Sequence, residues 1–183
     1  MDTRATDAAY HGGVDQNAFR RAMAQAPSGV TVTTAAHGGE AHGLTVSSFT
    51  SVSLEPLLCL VCIQKSSVAL PMIERSGRFA VHVLGADQED DAQFFASAPP
   101  EARLSRMGVA AGQAPRLERF LVRFSFDLFE MRPAGDHRIV LGEARRIETA
   151  RGDAAALGEA AFDGLADPLT WWRSEMGSLA PRG

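Results

Sequence analysis

Valine and threonine alternate along 30–36, a period of two that predicts a strand with one face buried. His37-Gly38-Gly39-Glu40 then supplies a turn and the stretch around Thr45 runs back, so the chain predicts an antiparallel hairpin. After Glu55-Pro56 an apolar run over 57–63 predicts a further strand. It is followed by the polar Gln64-Lys65-Ser66-Ser67 and a short helix over 68–74, with Ser67 as its cap. The pattern at 78–84 predicts another strand, and Asp87 is placed to cap a helix over 88–96 that carries Phe94 and Phe95 and stops at Pro99-Pro100. The segment 101–115 reads as irregular. Two longer strands, 119–131 and 138–147, form a second hairpin joined by 132–137. Upstream of all of these, Asp15 can cap a helix reaching 26, with Phe19, Ala22, Met23 and Ala26 on a face expected to lie on the core; Pro27-Ser28-Gly29 ends it.

Short strands in hairpins with few helices between them predict a mainly β protein, an antiparallel barrel with a few peripheral helices, because closing a sheet removes its exposed edges. A length of 183 residues suits one domain, expected over 15–176 between a flexible N-terminal tail, 1–14, and a C-terminal tail, 177–183. The 18 basic and 22 acidic residues leave a net charge of −4 with no basic cluster, so nucleic acid is not an expected partner. The beginning of the chain is polar, without the apolar segment of a secretory signal, and no membrane-length apolar stretch follows. A cytoplasmic location is expected.

Five hydroxyl residues lie between Thr45 and Ser51, directly before the apolar strand. The run reads either as a Ser/Thr-rich loop or as a strand edge lined for a polar, phosphate-bearing ligand. Lys65, the only lysine in the chain, precedes Ser66 and Ser67. This segment is open to two readings as well: an ordinary strand-to-helix turn, or an anion site built from a point charge, two hydroxyls and the free N–H groups of a helix start. Gly135-Asp136-His137 is good turn chemistry, and His137 either begins the next strand or serves as a donor at a hairpin tip. Cys59 and Cys62 have a redox-like or zinc-like spacing, but side chains three apart on a strand point to opposite faces, which favours structural cysteines. His37 and His42 lack further metal ligands nearby and read as structural. Neither a glycine-rich dinucleotide fingerprint nor a P-loop is present, so any nucleotide is held by other means.

Taken in order, several short motifs resemble the flavin reductase family, small FMN-binding split-barrel proteins that act as reductase components of two-component flavin-dependent monooxygenases. They are Phe19 to Met23 with Ser28-Gly29-Val30-Thr31-Val32, His42-Gly43-Leu44-Thr45-Val46-Ser47-Ser48-Phe49, Ser51-Val52-Ser53-Leu54-Glu55-Pro56, Arg78-Phe79-Ala80-Val81, Asp87-Gln88 with Phe94-Phe95-Ala96, Gly135-Asp136-His137, and Pro168-Leu169 with Arg173. The resemblance implies an antiparallel split β-barrel and a homodimer. It implies an NAD(P)H:flavin oxidoreductase that passes hydride from NADH or NADPH to FMN or FAD and supplies the reduced flavin to a monooxygenase. It further implies that Thr45, Val46, Ser47, Ser48, Cys62, Ile63, Gln64, Lys65, Ser66 and Ser67, with Phe95 and Arg173, engage flavin, while His137 serves the nicotinamide side and no metal takes part. The alternative is a split-barrel protein that keeps its flavin for another redox reaction or only binds it. The chain departs from the family at His82, where asparagine is common, and at Trp171-Trp172, where the tail is usually tyrosine-rich.

Overall fold

The computed structural model describes residues 13–178; most of the two expected tails lies outside them. One large antiparallel sheet dominates. Its strands are β2 (Thr31–His37), β3 (Glu40–Val46), β4 (Thr50–Leu54), β5 (Leu57–Gln64), β6 (Arg78–Val83), β9 (Val122–Ala134) and β10 (His137–Thr149), in the order β3-β2-β6-β9-β10-β5-β4. Short pieces complete the set: β1 (Ser28–Gly29), β7 (Met107–Gly108), β8 (Arg116–Leu117), β11 (Gly152–Asp153), β12 (Leu169–Trp172) and β13 (Glu175–Ser178). The sheet curls so that its two edge strands, β3 and β4, are consecutive in the chain and joined only by Ser47, Ser48 and Phe49. The barrel is therefore split along that seam.

Two apolar clusters fill it. One gathers Val46, Val61, Ile63, Leu70, Ile73, Phe79, Val81, Phe126 and Val140 between the sheet and helix α2 (Ala69–Ser76), with the rings of Phe79 and Phe126 stacked 4.9 Å apart. The other lies under helix α3 (Glu89–Ser97) and includes Val30, Val32, Leu84, Phe95, Met107, Phe120 and Leu169. Such clusters carry most of the favourable free energy of folding, at about 25 cal/mol per Å² of apolar surface removed from water. No helix among the described residues is long and apolar enough to cross a membrane.

The first hairpin forms in the expected register, with His37 opposite Glu40. The second is tighter than expected. Its strands extend to Ala134 and from His137, leaving only Gly135 and Asp136 as the turn, because Gly135 takes φ = 57°, which costs a glycine little. Two expectations are corrected. Helix α1 (Gln16–Met23) is capped as expected, the Asp15 carboxylate accepting from Asn17 and Ala18 N–H at 2.7 and 2.8 Å. Yet Phe19 and Met23 are 59% and 54% exposed, and no α1 residue is buried. The helix leads at once into β1, which pairs with β12 in a separate three-stranded sheet, and this carries it away from the barrel core. Asp87 does not cap α3 either. It pairs with Arg119, and the buried Gln88 takes the capping position, accepting from Gly85 N–H and donating to the Arg119 carbonyl, both at 3.0 Å. Cys59 and Cys62 are both free and both on β5.

Candidate functional site

The Ser48 side chain bridges the seam of the barrel. Ser48 Oγ accepts from Cys62 N–H at 2.8 Å and donates to the Cys62 carbonyl at 3.3 Å, so a hydroxyl stands in for the missing backbone pairing between the β3–β4 connection and β5. Both hydrogen bonds of the Ser48 hydroxyl in this structure are thus internal, to β5. Backbone groups alternate in direction along a strand. Since the Cys62 groups turn toward the seam, Gln64 N–H turns the same way just beyond the start of β4, while Lys65 N–H turns to the other side and donates to the Asp136 carbonyl at 3.0 Å.

Thr45, Val46 and Ser47 form the opposite lip. Ser47 is exposed. Thr45 Oγ1 donates to the Ala92 carbonyl at 2.6 Å, tying β3 to α3. Val46 is buried in the core, and its carbonyl accepts from Thr31 Oγ1 at 2.9 Å. The lip is pinned at two further points. Gly43 lets Phe95 pack closely against the strand, since a Cβ there would stand 2.8 Å from two ring carbons. Arg103 donates through Nη1 to the Gly43 carbonyl at 2.8 Å and to His42 Nε2 at 3.1 Å. Burial, then the charge of Arg103, pushes the His42 pKa down to about 4, so the ring is neutral and able to accept. Sequence reasoning missed this clamp: His42 and Arg103 are 61 positions apart, and no local pattern joins them.

At the other end of the seam, Ser67 lies two residues before α2, whose N-cap position falls on Val68 and not on the expected Ser67 because the helical turn begins only at Ala69. Ser67 Oγ accepts from Ala69 N–H at 3.3 Å, while its own N–H donates to the Gln64 carbonyl at 2.9 Å. The turn leaves Lys65 and Ser66 exposed beside the beginning of an eight-residue helix, where N–H groups and the helix dipole favour an anion. His137 lies directly across the ladder from Gln64. Its Nδ1 is 2.7 Å from Asp136 Oδ1; the hydrogen bond from His137, then the charges of His137 and Lys65, hold the Asp136 carboxyl below the usual range. The carboxylate fixes Nδ1–H as a donor and leaves Nε2 as the outward group. Asp136 was read from the sequence only as a turn residue; its place next to a histidine was the available signal.

The structure therefore joins Ser48, Cys62, Gln64, Lys65, Ser66, Ser67 and His137 along one continuous edge. Two expected contact residues lie beneath it: Ile63 and Phe95 are 0% exposed, so their side chains shape the wall without reaching its surface. Arg173 is not brought to the edge by any described contact. It sits in the β12–β13 turn with φ = 52°, its guanidinium 4.2 Å over the Trp172 ring and its N–H bonded to the Ala24 carbonyl, because β12 pairs with β1 and not with β5. The donor set fits a flavin nucleotide: a lip of backbone groups for a ring edge and a lysine with two serines at a helix start for a phosphate.

A family model described as flavin reductase like domain matches residues 23–180. The chain belongs to this family. Among curated relatives, it is 42% identical over 136 residues to a protein named actinorhodin polyketide dimerase from Streptomyces coelicolor, covering 73% of this chain and 76% of that one. It is 36% identical over 133 residues to the reductase component of 4-hydroxyphenylacetate 3-monooxygenase from Thermus thermophilus, covering 73% and 85%. Among solved flavin reductases, an NADH:FAD oxidoreductase from Streptomyces globisporus, determined with NAD and FAD fragments, superposes with a TM-score of 0.76 at 28% identity, covering 91% of this chain and 94% of that one. The split antiparallel barrel is the fold of these flavin reductases.

Proposed function

We propose that this chain is an NAD(P)H:flavin oxidoreductase that reduces FMN or FAD and supplies it to a flavin-dependent monooxygenase. The observation that carries the reading is the edge itself: Ser48 closes the seam on Cys62, turns Gln64 N–H outward, and aligns it with Lys65, Ser66 and Ser67 on one side and His137 on the other. Family membership and relatives named as NADH-dependent FMN reductases support it, as do relatives named as reductase components of monooxygenases.

Bound flavin supplies a hydride acceptor for the reduced nicotinamide. The protein's work is to hold and orient. Lys65, Ser66 and Ser67 would hold the flavin phosphate, and the backbone of 45–48 and of Gln64 would face the ring edge. Preorganised N–H groups there would stabilise negative charge on a reduced flavin. His137, oriented by Asp136, offers Nε2 to the nicotinamide nucleotide. No side chain is needed as an acid or base.

The working unit in this reading is a homodimer. Leu58, Leu60 and Cys62 on β5 and Ile139 and Leu141 on β10 point away from the core, and all are only partly covered. A contiguous apolar face of this kind fits a second copy of the chain. A cytoplasmic location follows in the same reading from dependence on NADH or NADPH. The test is NADH oxidation by the purified protein, followed by the loss of reduced-nicotinamide absorbance, with FMN, with FAD and with neither. Turnover only with added flavin is expected; no turnover with any flavin defeats the proposal.

A further inference from the structure

His137 and Arg138 are neighbours on β10 and so point to opposite faces of the sheet. Residues paired across a ladder share a face. His137 pairs with Gln64, while Arg138 pairs with Ile63 on one side and Pro133 on the other. Ile63 faces the core. Arg138 and Pro133 are thus on the side where α2 packs, and Lys65, in the turn after β5, lines the same groove. Between α2 and the hairpin end lies an open groove of about 380 Å³, lined by Lys65, Leu70, Pro71, Glu74, Pro133 and Arg138.

The lining is amphipathic in a particular way. Pro71 and Pro133 give exposed apolar surface, with the buried Leu70 beneath them. Lys65 and Arg138 give two cations, and Glu74 gives one carboxylate, 3.8 Å from Arg138 Nη1. The groove carries a net positive charge and one acceptor, and its volume lies within the ~300–1,000 Å³ usual for small-ligand sites. The matching ligand has a flat heterocycle, a sugar diol and phosphate, which is an adenosine 5′-phosphate.

We propose that this groove binds the adenylate end of FAD, so that the chain prefers FAD to FMN. The inference rests on the flavin reading above. An adenylate is also part of NADH, and position separates the two sources. Lys65 belongs both to the groove and to the cluster assigned to the flavin phosphate, so the second phosphate of FAD, one linkage further on, reaches Arg138. A nicotinamide nucleotide engaged by His137 begins on the opposite face of the hairpin. Glu74 is placed for the ribose hydroxyls and steadies Arg138.

The test is titration of FMN and FAD against the purified protein by flavin fluorescence, together with KM for NADH using FMN as acceptor. The wild-type protein is expected to bind FAD about tenfold more tightly than FMN, the worth of one charge-assisted hydrogen bond. Arg138→Ala should abolish that preference while leaving FMN binding unchanged, Arg138→Lys should restore part of it, and AMP should compete with FAD but not with FMN. Equal affinities in the wild-type protein overturn the proposal without requiring any variant to fold. Equal weakening of both flavins by Arg138→Ala also overturns it. A raised KM for NADH with an unchanged FAD-to-FMN ratio assigns the groove to the nicotinamide nucleotide and overturns the FAD assignment. Failure of the wild-type protein to bind either flavin refutes the flavin reading itself; FMN binding without FAD preference refutes only the groove.

Discussion

His82 makes this protein sensitive to acid, and the size of the effect can be worked out from its surroundings. The side chain is 0% exposed. Its Nδ1 lies 3.2 Å from the Val32 carbonyl and its Nε2 3.3 Å from Leu117 N–H, so the neutral ring donates at Nδ1 and accepts at Nε2. Burial first, then the charge of Arg123 directly across the ladder, pushes its pKa down to about 3 against an ordinary 6.5. With the folded pKa depressed, the unfolded chain binds the extra proton below pH 6.5. Stability is therefore full above that pH and falls on acidification until the folded pKa is reached. The slope is about 1.4 kcal/mol per pH unit, so moving from pH 7.5 to 5 costs about 2 kcal/mol through this one residue. In a domain of this size, that is roughly 4–8 °C of melting temperature. His82→Asn keeps a donor and an acceptor but does not titrate. Urea unfolding of wild-type and variant protein at pH 7.5, 6 and 5 is expected to show the gap between them shrinking by about 2 kcal/mol over that range. A wild-type protein and variant that lose stability in parallel would show that His82 is not held neutral, and the argument from burial would fail.

Three further outcomes follow from the site. Ser48→Ala leaves Cys62 N–H at the seam without its acceptor, and urea unfolding is expected to report a loss of about 1–3 kcal/mol, with weaker FMN binding on titration. Gly43→Ala drives a methyl to 2.8 Å from the Phe95 ring; calorimetry is expected to show a lower melting temperature, for a cost of about 1–3 kcal/mol. Asp136→Asn removes the carboxylate that orients His137, so steady-state kinetics should show KM for NADH rising several-fold while the FMN dissociation constant stays put; an equal change in both would argue that the pair acts on flavin.

Periodicity and turn chemistry are local properties, and they were enough for the hairpin at His37–Glu40, the Asp15 cap, the apolar β5 and the antiparallel character of the sheet. Order and spacing of short motifs carried the family. The hydroxyl run is legible as a candidate edge, but the chain alone does not reveal that Ser48 places its hydrogen bonds on Cys62, 14 positions away, nor that Phe95 packs against Gly43. Such facts depend on which strands become neighbours. The apolar stripe of α1 looked like a core face because amphipathicity records that a face seeks cover without naming what covers it. Arg173 illustrates the same limit: its motif is intact, yet the pairing of β12 with β1 sets its place. The split of Lys65 and Arg138 from His137, onto opposite faces of one hairpin, arises only when β5 and β10 meet in a single register. A shift of one residue would exchange the two faces, and with them the chemistry of the edge.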